Sequence, residues 1–354
     1  LFSVGRGVPF LSAGKLVYTR QIYPPTDEGK FPHSYADEGL EMWTQLQALD
    51  MKTGKDVWVT TCGLNMGCMI LPQKLEDGRA VALVGRGGGH GPPEKPEGVS
   101  LVDLSDGSTL WSLPLEGFMS TQSNRIRKNL VHVFHRGLHL SIDALSGKVK
   151  SEVSVVEDIP VRSRSGDGWI STKVTVKKVG ARALTQGSNL LVGKYHYFRS
   201  YTLPYLGRVN VDNGSVEYLE LPLQLSRDSG KDEFFWHVAP QKKGDPEMKI
   251  QGFAENDMVN TRGHVVFGDK RSMGSGWGHI ASPSPSVARE NFYMPVMNGT
   301  VYVIRWSAKT LNEDAIVAIN DLGPVGKSWT RASISFSDGK AFAHTIRELI
   351  CIGE

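Results

Sequence analysis

The stretch Leu46-Gln-Ala-Leu-Asp-Met-Lys-Thr-Gly-Lys-Asp-Val-Trp58 decides the fold, because its pattern returns along the chain. It returns as Val99-Ser-Leu-Val-Asp-Leu-Ser-Asp-Gly-Ser-Thr-Leu-Trp111 and as Leu138-His-Leu-Ser-Ile-Asp-Ala-Leu-Ser-Gly-Lys-Val-Lys150. Weaker copies cover 206–218 and 301–310. Each copy predicts an alternating apolar strand, a turn and a second strand. A hairpin that recurs every ~40–50 residues is typical of radially arranged blades.

The turn of each strong copy carries an Asp and, four residues later, a Gly. The Asp side chain can accept from backbone N–H groups of the turn, and the Gly supplies the positive φ of a tight hairpin. Trp58 and Trp111 follow four residues after the Gly, where an indole can cover the interface between neighbouring blades. We therefore expect structural roles for the pairs Asp50–Gly54, Asp103–Gly107 and Asp143–Gly147.

The spacing of the copies predicts the fold class, an all-β β-propeller of four-stranded antiparallel blades. Seven blades are favoured, with six or eight as alternatives, because the interval from Asn210 to Arg305 is long enough for two. The segment Leu1–Gly5 resembles an outer strand, and the strand at Leu349–Gly353 is followed by no outer strand of its own. We expect the N- and C-terminal strands to pair and close the propeller, which removes its sheet edges.

Composition predicts one domain over residues 1–354. The chain is 40% hydrophobic and rich in Gly, which suits many turns around a large core. Its repeat is interrupted near 21–42, 85–98 and 226–282, and the first of these reads as a long loop at the rim. A net charge of +3 without a Lys/Arg run argues against nucleic acid. No apolar stretch approaches the length of a membrane span.

The chain has only three cysteines. Cys62 and Cys68 bracket a short loop, and a disulfide between them is compatible with export. A metal site at this pair lacks a second pair of ligands. Cys351 lies on an apolar strand and is expected to be a buried thiol. The chain begins within a predicted blade, so a leader or a further segment can precede it.

Interruptions of the repeat are the places to look for a ligand, because propellers bind through loops grafted onto their blades. The segment 85–98 contains three consecutive glycines flanked by Arg86 and His90. Such a segment can cradle an anion through backbone N–H groups. A plain connecting loop is the favoured alternative, since no helix follows as in a phosphate-binding loop.

Two further places offer aromatic and cationic side chains. Strand alternation puts Tyr195, Tyr197 and Arg199 on one face, which suits a sugar or an acidic ligand and, slightly better, packing between blades. The long interruption contributes Trp236, Trp277 and His279. The segment with Trp277 and His279 precedes a predicted innermost strand, so it is expected at the channel mouth, with a loop-filling role as an equal alternative.

A histidine cluster at His132, His135 and His139 does not predict a metal site. Residues 132 and 135 face opposite sides of a strand and do not converge without a bulge. No metal ligand set is therefore assigned.

The Asp-x-x-x-Gly-Lys-x-x-Trp motif of 50–58 resembles the repeat of the pyrroloquinoline-quinone-like (PQQ-like) β-propeller superfamily. That superfamily includes quinoprotein alcohol dehydrogenases and an outer-membrane lipoprotein that helps to assemble β-barrel proteins. The chain looks like the exported bacterial PQQ-binding-like repeat proteins, and 86–94 and 276–283 look like features of that group. The resemblance implies a secreted or periplasmic location. The adjacent Cys pair and calcium ligands of quinoprotein dehydrogenases are not found, so PQQ or a divalent metal as cofactor is unsupported.

Three functions compete. A scaffold that binds a ligand or a protein, without chemistry of its own, is favoured because no catalytic motif is recognisable. A propeller-type polysaccharide lyase would use His90, Tyr197, Arg199 and His279 as base, acid and carboxylate-binding groups. It predicts one His, one Tyr and one Arg within about 10 Å of each other in one pocket. A quinone- or metal-dependent oxidoreductase is the least favoured.

Overall fold

The computed structural model describes residues 2–4, 9–22, 44–65, 68, 70–87, 96–120, 125–165, 168–176, 189–199, 205–221, 283–296, 299–323, 330–345 and 348–353. Within these ranges the fold is all-β, with strands β1 to β26 arranged in six sheets. We call the sheets blades 1 to 6 in chain order. A single 3₁₀ turn, Glu313–Ala315, accompanies the described strands.

The first compact unit, Leu1–Ser154, contains blades 1 to 3. Blade 1 contains β1 (Phe2–Val4), β2 (Phe10–Ser12), β3 (Lys15–Ile22), β4 (Thr44–Asp50) and β5 (Asp56–Val59). Blade 2 contains β6 (Pro72–Lys74), β7 (Ala80–Arg86), β8 (Gly98–Asp103) and β9 (Thr109–Pro114). Blade 3 contains β10 (Arg125–Arg127), β11 (Leu130–His135), β12 (Leu138–Asp143) and β13 (Val149–Ser154). Blades 2 and 3 are simple four-stranded antiparallel meanders.

The second compact unit, Val155–Glu354, contains blades 4 to 6. Blade 4 contains β14 (Ile159–Ser165), β15 (Gly168–Val174), β16 (Leu190–Val192), β17 (Tyr195–Arg199), β18 (Tyr205–Asn210) and β19 (Val216–Glu220). Blade 5 contains β20 (Ser286–Ala288), β21 (Asn291–Pro295), β22 (Thr300–Arg305) and β23 (Ile316–Asp321). Blade 6 contains β24 (Ser335–Ser337), β25 (Lys340–His344) and β26 (Leu349–Ile352).

The repeated turn has the geometry that the motif predicts. In blade 1 the Asp50 carboxylate accepts the backbone N–H of Lys52 and of Thr53, at 3.0 and 2.8 Å. The Gly54 N–H closes the turn on the Asp50 carbonyl at 2.8 Å, with φ of 69° at the glycine. Asp103, Asp143 and Asn210 repeat the arrangement with Gly107, Gly147 and Gly214.

The tryptophans join neighbouring blades, as the sequence predicts. The indole of Trp58 in blade 1 lies on Gly107 in the turn of blade 2, where an added Cβ would lie 2.7 Å from the ring. Trp111 in blade 2 lies on Gly147 of blade 3 in the same way, at 2.8 Å, and donates its Nε1 hydrogen to the Ala144 carbonyl. Each glycine is therefore required twice, once by its positive φ and once by the ring that covers it.

Apolar strand faces fill the space between successive blades within each unit. One buried cluster contains residues of blades 1 and 2, such as Val17, Leu46 and Val102. A second combines blades 2 and 3, and a third combines blades 4 and 5. The hydrophobic cores thus lie between neighbouring sheets. Successive side chains of a strand point to opposite faces, so a strand with both faces covered packs against a sheet on each side.

The predicted count of seven blades is corrected to six for the described residues. The interval from Asn210 to Arg305 is long enough for two blades, but its described strands are β19 of blade 4 and strands of blade 5. A seventh blade would fall in 222–282, which lies outside the described residues. The length of an interval does not by itself determine how many blades it contains.

The predicted pairing of the chain ends is not found in the described residues. β1 pairs with β3 in blade 1, with Phe2 opposite Ile22 and Val4 opposite Arg20. β26 pairs with β25 in blade 6. The N-terminal strand therefore extends its own blade. The assignment of residues 1–354 to one domain stays a prediction, since the two units are defined separately.

The tryptophan contact predicts different costs for two otherwise equivalent glycines. Gly107→Ala and Gly54→Ala both place a Cβ at positive φ, which costs about 1–2 kcal/mol. Only at Gly107 does the Cβ meet an indole, whereas nothing lies within 4 Å at Gly54. We expect Gly107→Ala to lower the free energy of unfolding by roughly 1–3 kcal/mol more than Gly54→Ala does, which is the usual cost of overpacking. Urea unfolding of both variants measures this, and equal losses would contradict the contact.

Candidate functional site

Strand β17 holds three of the predicted ligand-binding residues, and all five of its side chains are buried. Tyr195 and Tyr197 lie on the same face, with ring centroids 6.1 Å apart. Tyr197 packs against Phe292 of blade 5 at 4.7 Å between centroids. Arg199 is also buried, at 1% exposure. The two tyrosines share one face, as the alternation predicts, and this face is turned toward blade 5.

The polar centre of this region is a row of three residues across neighbouring strands, which we call the Arg208 row. Tyr197 on β17 is opposite Arg208 on β18, and Arg208 is opposite Glu217 on β19. The guanidinium is 1% exposed and lies over the Tyr195 ring, 4.0 Å from its centroid. It donates Nη2 to Glu217 at 3.0 Å and Nη1 to the Tyr197 hydroxyl at 3.3 Å. A carboxylate and an aromatic face thus stabilise the buried charge of Arg208.

The Arg208 row binds the segment that follows β22 in blade 5. The Tyr197 hydroxyl donates to the Trp306 carbonyl at 2.8 Å. Arg208 donates to the Ala308 and Lys309 carbonyls at 2.7 and 2.9 Å. Glu217 accepts the Leu311 N–H at 2.8 Å. These bonds connect blades 4 and 5, so the row acts in packing between blades.

Burial sets the protonation of the Tyr197 phenol. Desolvation raises the pKa of Tyr197 to about 12, although the Arg208 charge and hydrogen bond oppose the shift. The hydroxyl is therefore neutral at neutral pH, and its proton is directed to a backbone carbonyl. A phenol held in this way is a structural donor, whereas a general base needs a pKa near the operating pH.

Arg86, predicted to flank an anion cradle, is buried in blade 2. Its Nε donates to the Pro96 carbonyl and its Nη1 to the Ser100 hydroxyl. Ser100 in turn shares a 2.7 Å hydrogen bond with Ser112 on β9. Because Arg86 lies opposite Gly98 in the strand pairing, its guanidinium joins the two ends of the glycine-rich segment. This arrangement fits the connecting-loop alternative.

The cysteines differ from the expectations. Cys62 and Cys68 are both buried, and both are free thiols. The Cys68 Sγ accepts the Gly85 N–H at 3.2 Å, and burial raises the pKa of Cys68 to about 11. Cys351, predicted to be buried, is exposed, and it lies on β26, an edge strand of the described part of blade 6. Apolar neighbours in sequence did not reveal that this strand is at an edge.

The histidines of blade 3 form a packed pair. His132 on β11 and His139 on β12 stack with ring centroids 5.4 Å apart, and Phe134 meets His139 edge-on at 5.2 Å. His132 shares a 3.2 Å hydrogen bond with Ser141. Within the described ranges, no group of three or more metal-ligating side chains converges.

His90, Trp236, Trp277 and His279 lie outside the described residues. The proposed grouping of one His, one Tyr and one Arg therefore stays a prediction. Sequence reasoning did not single out Arg208 and Glu217. The signal was present, because a hairpin centred on the turn that follows Asn210 puts them opposite each other.

The repeat turn, the tryptophan contacts and the antiparallel blades confirm the hairpin repeat that the sequence predicts. Among solved structures, BamB from Moraxella catarrhalis is similar at 12% identity and a TM-score of 0.40, over 99% of this chain and 97% of that one. A quinohemoprotein alcohol dehydrogenase from Comamonas testosteroni is similar at 11% identity and a TM-score of 0.46, over 92% and 46%. The computationally designed Ika8 protein is similar at 13% identity and a TM-score of 0.31, over 99% and 96%.

No family model matches the chain, and no curated protein matches it. No helix in the described parts of the chain has both the length and the apolar character needed to cross a membrane.

The Tyr197 hydroxyl is expected to contribute to stability. Tyr197→Phe leaves the Trp306 carbonyl without its donor, so we expect the free energy of unfolding to fall by about 1–2 kcal/mol. Tyr293→Phe is the matched control, because the Tyr293 ring packs on Phe336 and its hydroxyl makes no hydrogen bond to described residues. Chemical denaturation compares the two, and an equal loss in both variants would refute this role.

The histidine pair predicts acid sensitivity. Burial, with a smaller contribution from His132, lowers the pKa of His139 from 6.5 to about 3. Below about pH 6.5 His139 therefore takes up a proton in the unfolded chain but stays neutral in the folded chain. The contribution of His139 to the free energy of unfolding is present above pH 6.5 and is lost as the pH falls toward 3.

For one titrating group, the free energy of unfolding is expected to change by at most about 1.4 kcal/mol per pH unit. Urea unfolding of wild type and His139→Gln from neutral to acidic pH isolates the contribution. The variant should show a flatter curve over this window. Parallel curves would show that His139 does not titrate as described.

Proposed function

We propose that this chain is an exported bacterial β-propeller that binds a protein partner and has no chemistry of its own. The observation that carries the proposal is that the protein itself engages three described side chains of a type used in catalysis. Each of these side chains, Tyr197, Arg86 and Arg208, donates hydrogen bonds to acceptors within the protein. None of these three is left on the surface to meet a substrate.

The repeat supports the same function. Its best-defined residues are the turn Asp and Gly and the inter-blade Trp, which act in folding and packing. A rigid framework of this kind supplies loops that can hold a partner, and binding through such loops requires no reactive group. The exported location follows from the resemblance of the motif to exported repeat proteins and belongs to the proposal.

Two measurements test the proposal together. Chemical cross-linking in the exported fraction of the source cells, with identification of the captured protein, gives a candidate partner. Isothermal titration with that protein in purified form should then give saturable binding at a fixed stoichiometry. Acidic polysaccharides incubated with the chain should show neither shortening nor unsaturated products.

A lyase would give the opposite outcome. Polysaccharide cleavage that disappears in His90→Ala or His279→Ala, with the unfolding midpoint unchanged, would overturn the scaffold and support the lyase. Tyr197→Phe adds a control that separates the two. A packing role lowers stability and leaves partner affinity intact, whereas a catalytic role lowers kcat.

A further inference from the structure

Arg125 on β10, the first strand of blade 3, is a cation without a counterion in the described part of the chain. The side chain is only partly exposed, and its buried Nε donates to no acceptor among the described residues. Burial lowers the pKa of Arg125, and no carboxylate of the described ranges opposes this shift. The guanidinium has therefore lost part of its hydration without gaining a hydrogen-bond acceptor, which is costly for a charged group.

Three other arginines show how the chain usually satisfies a guanidinium that is removed from water. Arg208 donates to a carboxylate and to two backbone carbonyls. Arg162 donates two hydrogen bonds to the carboxylate of Glu313. Arg86 donates to a backbone carbonyl and to a serine hydroxyl. Arg125 is the exception, since no comparable acceptor is found for it within the described ranges.

The residues around Arg125 are neutral or positive. His132 on β11 lies opposite Arg125, and Ser141 on β12 lies opposite His132. His132 shares a hydrogen bond with Ser141 and stacks on His139. His139 is neutral at neutral pH, because burial lowers its pKa to about 3. Arg127 lies two residues further along β10 on the same face, so it adds a second positive charge.

The carboxylate that this face of blade 3 carries on its described strands is engaged elsewhere. Asp143 lies at the end of β12 and holds the repeat turn. Its Oδ1 accepts the N–H groups of Leu145 and Ser146 at 3.0 and 2.8 Å. Its Oδ2 lies 3.7 Å from the Lys150 ammonium. Asp143 is therefore committed to its own turn and does not neutralise Arg125.

The position of Arg125 is fixed by its neighbour in sequence. Ile126 packs into the core between blades 2 and 3, and its N–H donates to the Gln73 side chain at 2.7 Å. Because successive side chains of a strand point to opposite faces, Arg125 lies on the face of blade 3 opposite to that core. Its Nε is buried, whereas the terminal nitrogens Nη1 and Nη2 keep contact with solvent. A ligand can therefore reach the guanidinium through these two nitrogens.

We propose that Arg125 binds an oxyanion, the carboxylate or the phosphate group of a ligand, through Nη1 and Nη2. The flat guanidinium presents N–H groups that match two oxygens of such a group, and hydrogen bonds between opposite charges are the strong ones. The bound anion supplies the counterion that the described residues around Arg125 do not provide. Because β10 already holds the side chain in place, little ordering is needed on binding. This site does not depend on the proposed protein partner, so either can fail while the other stands.

Thermal unfolding in the presence of anions tests the site. Sodium phosphate and sodium acetate are titrated separately, with sodium chloride added to keep the ionic strength constant. The unfolding midpoint of the wild type should rise and then level off with at least one of the two anions, because a ligand that binds the folded chain stabilises it. A rise with phosphate alone identifies a phosphate ligand, and a rise with acetate alone identifies a carboxylate.

Substitutions at Arg125 show whether the anion binds there. Arg125→Gln should weaken the apparent affinity by about tenfold or more, and Arg125→Lys, which keeps the charge without the fork, should weaken it less. Arg136→Gln is the matched control, because it removes the same charge from an exposed turn of blade 3 and should respond like wild type. Without added anion, Arg125→Gln should unfold no earlier than wild type, since it breaks no hydrogen bond to a described residue.

Three results would overturn the proposal. The first is a wild-type midpoint that neither anion raises. The second is a rise that Arg125→Gln retains in full. The third is an Arg125→Gln variant that is destabilised without any added anion, because the guanidinium would then already have a partner within the chain.

Discussion

The packing of an indole on the turn glycine of the next blade is the constraint on which the first unit depends. The turn must expose a face without a Cβ, and the glycine can do this only because the Asp carboxylate and carbonyl hold the chain at positive φ. Trp58 then covers Gly107, and Trp111 covers Gly147. One motif therefore specifies both a hairpin and its neighbour, which explains why the motif recurs with fixed spacing.

In the second unit, blades 4 and 5 are joined by polar contacts as well as by an indole. Arg208 carries a buried charge between blades 4 and 5, and its cost is offset by Glu217, the Tyr195 ring and fixed backbone carbonyls. Trp306 adds an indole on Gly193, where an added Cβ would lie 2.9 Å from the ring. Tyr195 and Tyr197, two of the side chains that suggest a ligand site, thus have packing roles between blades, and this is why we favour a scaffold.

The sequence predicted local features well and non-local ones poorly. The turns, the inter-blade tryptophans and the shared face of Tyr195 and Tyr197 follow from spacing and alternation, which are local. The blade count failed because interval length does not separate a blade from an insertion. The stacking of His132 on His139 depends on strand register, which spacing within one strand does not give. Four candidate site residues lie outside the described ranges, and their roles stay predictions from the sequence.

A double-mutant cycle between Trp58 and Gly107 tests the central claim most directly. It compares the unfolding free energies of Trp58→Ala, Gly107→Ala and the double variant. If the indole is what the added Cβ meets, removing the ring relieves part of the cost at Gly107. The double variant should then be more stable than the sum of the single losses predicts, by about 0.5–3 kcal/mol. Additive losses would contradict the account, because the glycine would then be required by its backbone conformation alone.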